Sequence, residues 1–128
     1  MLYLEPNSPI VLLNFSFSDN AIGYIVEGKM DYNAVNELKA AILKKFEEHD
    51  TINLYLEDNN IERFTLDAVF IAGIFPMQHA NRLNKIAMVT NRKWIHAIAN
   101  FNKALIGKDM RNFTVNKRLE AISWIASD

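Results

Sequence analysis

The pattern of apolar and polar positions is clearest between Lys85 and Leu105, where an unbroken apolar run gives way to a helical spacing. Residues 86–89 are all apolar, as expected for a strand that helices cover on both faces. Thr90 and Asn91 end this run, and either side chain can accept hydrogen bonds from the first N–H groups of a following helix. The pattern therefore predicts a buried strand, a short turn and a helix.

The helix predicted after this turn has one apolar face and ends near Gly107, a residue type that is common just beyond helix C-termini. Apolar side chains recur along it at steps of four, three and four, and this spacing places them on one face. They are Trp94, Ile98, Phe101 and Leu105. Burying a large apolar side chain is worth roughly 1.5–3 kcal/mol. We therefore expect Trp94 to anchor this face in the core before it serves any ligand.

Four further strands are predicted from short apolar runs that turn residues separate. They span residues 10–17, 22–27, 52–56 and 110–115. The first two are joined by Ser18, Asp19 and Asn20, which favour a tight turn. An antiparallel hairpin is therefore expected at the start of the chain.

Two amphipathic helices complete the regular part of the pattern. The first follows Asp31, a favourable N-cap residue, and the last follows Asn116, for which we expect the same role. Their apolar faces carry Val35, Leu38, Ile42 and Phe46 in the first helix, and Leu119, Ile122, Trp124 and Ile125 in the last.

The helix predicted over residues 66–79 is less regular. Thr65 is its expected N-cap, and Asp67 in its first turn suits the positive end of the helix dipole. Its apolar residues occupy more of the circumference than one core-facing stripe, and Pro76 should bend or end it because proline has no backbone N–H. Such a helix is either buried on several sides or exposes apolar surface to a partner or ligand.

The element order ββαβαβαβα predicts the fold class. Repeated strand–helix–strand units favour an α/β fold with a mixed, mostly parallel five-stranded sheet, about four helices and right-handed crossovers. A length of 128 residues suits one domain, so we expect residues 1–128 to form a single unit.

Composition narrows the function classes. The formal net charge is −1, so no broad basic field for nucleic acid is expected. The chain has no cysteine, which excludes disulfides, thiolate metal sites and cysteine nucleophiles. The first residues lack a signal-peptide pattern, and the longest apolar run, residues 68–77, is about half of the roughly 20 residues that a membrane span needs. We expect a soluble, cytoplasmic protein.

No spacing typical of catalysis or metal binding is found in the sequence. His49, His79 and His96 are scattered, Gly-x-Ser-x-Gly is absent, and the glycines form no phosphate-binding loop. We therefore expect no metal and no cofactor.

Polar side chains gather where two predicted parallel strands end. Glu57 and Asp58 follow one strand, Thr90 and Arg92 follow the next, and Thr65 lies nearby in the sequence pattern. Ligands of open α/β sheets favour this edge, and paired carboxylates there can carry acid–base chemistry if burial separates their pKa values. A polar loop with helix caps explains the same residues more simply, and we favour that interpretation.

Several segments carry a family resemblance through their order and spacing. They are Phe64-Thr-Leu66, then Lys85-Ile-Ala-Met-Val-Thr90 with Lys93-Trp94-Ile95, and finally Glu120-Ala-Ile-Ser-Trp124-Ile125. Together they resemble the SpoIIAA-like family, small bacterial proteins related to STAS domains (sulfate transporter and anti-sigma factor antagonist). The resemblance covers nearly the whole chain and implies a compact α/β sandwich in the bacterial cytoplasm. The wider relationship includes CRAL-TRIO proteins, which hold lipids in an apolar pocket.

The phosphorylation switch of STAS anti-sigma factor antagonists is not carried over by this resemblance. Those proteins have a phosphorylated serine in an Asp-Ser-Ser-Gly-like turn before the second helix. The corresponding stretch is residues 61–66, where Phe64 stands at the serine position and Thr65 at the glycine position. We therefore expect Thr65 to cap the helix rather than to accept a phosphate.

Three functions remain open at this point, in order of preference. The first is a non-enzymatic regulatory or protein-interaction module, which contacts another protein or a second copy of itself through Phe70, Ile74 and Phe75. The second is a binder of a small apolar or lipid-like ligand, in a pocket that the second helix lines together with Trp94 and Phe101. The third is an enzyme that uses acidic residues at the strand ends, such as Asp58.

Overall fold

The computed structural model describes residues 10–127, with side chains described from Asp19 onward. The strands are β1 (Ile10–Ser18), β2 (Ala21–Met30), β3 (Ile52–Asp58), β4 (Arg63–Phe64), β5 (Leu83–Val89) and β6 (Asp109–Phe113). The α-helices are α1 (Tyr32–Phe46), α2 (Leu66–Gln78), α3 (Lys93–Ile106) and α4 (Arg118–Ala126). Two short 3₁₀ helices, Ala80–Arg82 and Val115–Lys117, precede β5 and α4.

The sheet is mixed and mostly parallel, which confirms the predicted fold class. Its main path runs β1-β2-β3-β5-β6, with β1 antiparallel to β2 and the other neighbours parallel. The two-residue β4 adds to the end of β2, where Lys29 lies beside Arg63. This short strand was not predicted, since two residues show no periodicity.

Two layers of helix cover the sheet, because alternate side chains of each strand point to opposite faces. On β3, the buried Leu54 belongs to the core under α1, α2 and α3, whereas Tyr55 belongs to a smaller core under α4. Ala121 and Ile125 of α4 fill that second core. The larger core therefore lies on the three-helix side.

Two of the predicted helix ends are confirmed by the backbone. Asp31 precedes α1, and its Oδ1 accepts a hydrogen bond of 3.0 Å from the N–H of Ala34. Gly107 ends α3 with φ of +65°, a left-handed conformation that glycine adopts without a steric penalty.

The predicted buried face of α3 is wrong. Trp94, Phe101 and Leu105 are 42%, 63% and 58% exposed, while Ala99 and Asn102 are buried instead. The apolar stripe is real, but it turns toward solvent and α2 rather than toward the sheet. Periodicity identifies an apolar face without saying what covers it.

Two smaller expectations about helix ends need correction, and at Pro76 one of the two predicted outcomes, the end of the helix, is excluded while the bend stays a prediction. Thr65 precedes α2, but its hydroxyl donates to the Asp67 carboxylate and makes no capping hydrogen bond. Asn116 lies inside the 3₁₀ helix, so α4 begins at Arg118 without it. Pro76 does not end α2, which continues to Gln78.

Within residues 10–127, no helix has the length and apolar character needed to cross a membrane.

Candidate functional site

An apolar cavity of about 150 Å³ lies beneath α2, bounded by α1, α3 and the sheet. The surface of α2 that borders the cavity carries small side chains, namely the buried Ala68 and the more accessible Ala72 and Gly73, and α3 contributes the buried Ala99. Small side chains leave volume between a helix and the sheet that neighbouring side chains do not fill. The cavity is thus a direct consequence of the sequence of α2.

The remaining walls are formed by larger apolar side chains. β3 contributes Leu54 and Leu56, and β5 contributes Ile86 and Met88. A void of this size with an apolar lining has no partners for water and can accept a small apolar molecule.

Three charged residues also contribute atoms to the wall, namely Lys39, Glu57 and Asp58, although the Glu57 carboxylate itself lies on the α4 side of the sheet. The two carboxylates are paired, Glu57 with Arg118 and Asp58 with Arg92. Lys39 is half-buried on α1 and makes no ion pair or hydrogen bond among the side chains from Asp19 to Ser127.

Two aromatic rings meet at the end of the cavity near the carboxyl edge of the sheet. Phe64 and Trp94 line it and contact each other edge to face, with ring centroids 4.9 Å apart. The Arg92 guanidinium lies 5.0 Å from the Phe64 ring centroid on the outside. Trp94 therefore closes one end of the cavity while almost half of its surface remains accessible.

The predicted strand-end residues Asp58, Thr90 and Arg92 are brought together by the fold. Asp58 Oδ2 accepts hydrogen bonds of 2.7 Å from Thr90 Oγ1 and 2.7 Å from Arg92 Nε, while Oδ1 accepts one of 2.9 Å from the N–H of Ile61. Thr90 Oγ1 in turn accepts a bond of 3.1 Å from the N–H of Arg92. Both oxygens of the Asp58 carboxylate accept hydrogen bonds, so this cluster ties the loops after β3 and β5 together.

Thr65 lies outside that cluster. Its hydroxyl is bonded to Asp67, and its N–H donates 3.0 Å to the carbonyl of Met30. The residue joins β2 to the start of α2 through its backbone.

The predicted contact residues of α2 divide between surface and interior. Phe70 is 65% exposed, Ile74 is half-buried, and Phe75 is only 5% exposed and lines the cavity. Phe75 is therefore unavailable to a partner on the outer surface of α2.

A polar network that the sequence analysis missed lies under α4. Tyr55 donates a hydrogen bond of 2.5 Å to Glu57 Oε1, and Arg118 pairs with both oxygens of Glu57. Burial, followed by the hydrogen bond to Glu57, raises the pKa of the Tyr55 hydroxyl well above its usual range. In the sequence, only the positions of Tyr55 and Glu57, two residues apart on one strand, could have indicated this network, since Arg118 is far away along the chain. The network fastens α4 to the sheet.

No group of three His, Cys, Asp or Glu residues in the described part of the chain is arranged to hold a metal ion. What the site offers chemically is an apolar void, a lysine in its wall that has no partner among the described side chains, and an exposed apolar helix pair above it.

A mixed sheet with three helices on one face and one on the other defines a small α/β domain. The family model described as SpoIIAA-like matches residues 21–126, and the chain belongs to that family. The resemblance inferred from the sequence is thus confirmed. A comparison with curated proteins found no match.

Solved structures share this fold. An uncharacterised protein with a SpoIIAA-like fold from Shewanella loihica PV-4 matches with a TM-score of 0.71 and 10% identity, over 97% of this chain and 99% of that chain. The anti-sigma factor antagonist SpoIIAA in its unphosphorylated form matches with a TM-score of 0.56 and 11% identity, over 91% of this chain and 100% of that chain. At such identities the likeness concerns the fold alone.

Proposed function

We propose that the protein is a non-enzymatic regulatory module of the bacterial cytoplasm that binds another protein through the outer surface of α2 and α3. The main observation in support of this proposal is the concentration of exposed apolar side chains on α2 and α3. Of the nine large apolar side chains exposed between Asp19 and Ser127, six lie on these two helices. We call this set the α2–α3 face: Leu66, Phe70, Met77, Trp94, Phe101 and Leu105.

Contiguous apolar surface on a soluble domain is typical of an interaction site. Aromatic residues are enriched at protein interfaces, and the α2–α3 face contains three of them, Phe70, Trp94 and Phe101. The two helices pack directly against each other, since a Cβ on Gly73 would lie 3.6 Å from Ile98 Cγ2. The exposed apolar side chains of the α2–α3 face are therefore carried by two neighbouring helices.

The fold supports a regulatory role. One of the solved structures with this fold is an anti-sigma factor antagonist, a protein that acts through another protein. The fully bonded Asp58 gives no support to the acid–base alternative, because its oxygens already accept three hydrogen bonds.

The test is in-cell cross-linking followed by capture of the tagged protein. We expect Phe70→Ser with Phe101→Ser to abolish a cross-linked partner, or a homodimer seen by sedimentation, without unfolding the protein. Leu119→Ser is the matched control, because Leu119 is 77% exposed on α4, on the opposite face of the sheet. A partner that both variants retain equally would exclude the α2–α3 face as the contact surface.

A second candidate function, binding of a small apolar ligand, is favoured by the cavity beneath α2. A cavity of about 150 Å³ with an apolar lining is large enough for a molecule of benzene size. A ligand that binds only the folded state raises the melting temperature by mass action.

Benzene is the probe for this second function. We expect benzene to raise the melting temperature of the wild type and of Ala104→Leu, which adds a side chain on the exposed side of α3. Ala68→Leu, at a side chain that lines the cavity and is 0% exposed, reduces the cavity volume and should remove the response. Native mass spectrometry of protein from its host, beside a denatured run, would then reveal any bound natural ligand. An unresponsive wild type would exclude the cavity as a ligand site.

A further inference from the structure

We propose that the cavity beneath α2 binds a medium-chain aliphatic monocarboxylate, with the alkyl chain in the void and the carboxylate paired with Lys39. This inference rests on the second of the two proposed functions and adds the chemical class of the ligand and the residue that selects it.

The size and lining of the cavity determine the apolar part of the ligand. A void of about 150 Å³ holds about six carbon atoms, as for a benzene-sized molecule. Its walls are aliphatic on the sheet side and carry small side chains on α2, so a flexible chain fits there without a hydrogen-bonding partner. A sugar, nucleotide or peptide would leave its polar groups unpaired in this space.

The charges in the wall determine the polar part. Asp58 is neutralised by Arg92 Nε at 2.7 Å, and Glu57 is neutralised by Arg118. Lys39 alone among the charged wall residues has no partner in the part of the chain whose side chains are described. The uncompensated charge of the site is therefore positive, and it favours an anionic head group over a neutral or cationic one.

The position of Lys39 on α1 places its stem in the wall. Val35 and Ile42, four residues before and three residues after it, also line the cavity, so all three lie on one helical face. Lysine side chains commonly cover apolar surface with their methylene groups while the ammonium reaches water. Lys39 can therefore contact the first carbons of a chain and pair with a carboxylate at the rim.

A nearby histidine reports the charge on Lys39. His79 follows α2, and its ring packs against the cavity residue Phe75 with centroids 4.6 Å apart. Burial, followed by the positive charges of Lys39 and Arg82, lowers the pKa of His79. A carboxylate bound at Lys39 would offset part of this charge and raise the pKa of His79, whereas a neutral ligand would not.

The experiment compares hexanoate with 1-hexanol by calorimetry at pH 7, where the carboxylate is ionised. We expect wild type to bind hexanoate about fivefold more tightly, the effect of a partly exposed ion pair. Lys39→Met keeps the stem and should bind both ligands equally, while Lys39→Arg should retain the preference. Lys44→Met, an exposed lysine of the same helix, is the control for lost net charge. NMR titration of His79 should show a higher pKa with hexanoate than with 1-hexanol.

The outcomes separate this inference from the function on which it rests. If 1-hexanol and benzene bind but hexanoate shows no preference, or if Lys39→Met retains the preference, the carboxylate assignment is overturned and the apolar site survives. If none of the three ligands binds, both are overturned.

Discussion

The side-chain amide of Asn102 on α3 donates a hydrogen bond of 2.8 Å to the main-chain carbonyl of Gly73 on α2. Asn102 is only 3% exposed, so this bond lies within the packed interior between the two helices. The carbonyl would otherwise belong to the helical ladder alone, and the amide would have no water to bond. The contact holds α2 beside α3, above the volume that the small side chains of α2 leave unfilled.

Replacing Asn102 by leucine should therefore destabilise the protein by about 1–3 kcal/mol. The contact between α2 and α3 loses a buried hydrogen bond and must accommodate the bulkier leucine side chain. Urea unfolding measures the change. Asn36→Leu is the control, since its amide bonds to Tyr32 within α1 at the surface, and we expect a change within about 0.5 kcal/mol. Equal changes in the free energy of unfolding for the two substitutions would show that Asn102 does not stabilise the contact between α2 and α3.

The glycines at positions 73 and 107 should respond in opposite directions to alanine. At Gly73 an added Cβ would meet Ile98 Cγ2 at 3.6 Å, an ordinary contact. Alanine should therefore stabilise the helix by about 0.5–1 kcal/mol. Gly107 has φ of +65°, so alanine there should destabilise by about 1–2 kcal/mol. Thermal unfolding of the two variants beside wild type checks both signs, and stabilisation by Gly107→Ala would contradict the left-handed helix end.

The fold was predictable because each element carries its own local pattern. The apolar run before Thr90 and the cap at Asp31 need only neighbouring residues to be recognised. Parallel strands end at the same edge of a sheet, so the meeting of Asp58 with Thr90 and Arg92 also followed from the element order.

The cavity was not predictable in the same way. Ala68 and Ala99 are unremarkable in sequence, and only the packing of α2 over the sheet places them around one void. The prediction that the apolar face of α3 is buried was wrong for a related reason. An apolar residue such as Phe101 has the same spacing in the sequence whether its side chain contacts the core or solvent. The sequence did not indicate that Lys39 lines a cavity, since a lone lysine on an amphipathic helix usually lies on the solvated face of that helix.

Asp58→Asn should destabilise the protein by roughly 3 kcal/mol. The carboxylate side chain is 7% exposed, and the amide keeps only one acceptor oxygen without the negative charge that pairs with Arg92. Either Ile61 N–H, or Thr90 and Arg92 together, then faces an NH2 donor where a carboxylate oxygen accepted before. Asp109→Asn is the matched control, because its pair with Arg111 spans 3.7 Å between side chains that are about half exposed. We expect less than about 1 kcal/mol there. Denaturant unfolding at pH 7 measures both, and a small effect at Asp58 would show that the loop tie is dispensable.

Tyr24→Phe should stabilise the protein at neutral pH by roughly 1 kcal/mol. The residue is fully buried, at 0% exposure, and its hydroxyl has no hydrogen-bond partner among the described residues. Removing a buried polar group that lacks a partner recovers its desolvation cost. Tyr32→Phe is the control, since that ring is 57% exposed and should tolerate the change without effect.

Tyr24→Phe should also change how the free energy of unfolding depends on pH above about pH 9. Burial, followed by the charge of Glu48, raises the pKa of Tyr24 to about 12 from 10.0. A group whose pKa is raised by folding holds its proton more tightly in the folded state, so its contribution is complete below pH 10 and is lost as the pH rises toward 12. Wild type should therefore lose stability relative to Tyr24→Phe across that interval. Parallel curves for the two proteins in urea between pH 9 and pH 12 would contradict the buried position of the hydroxyl.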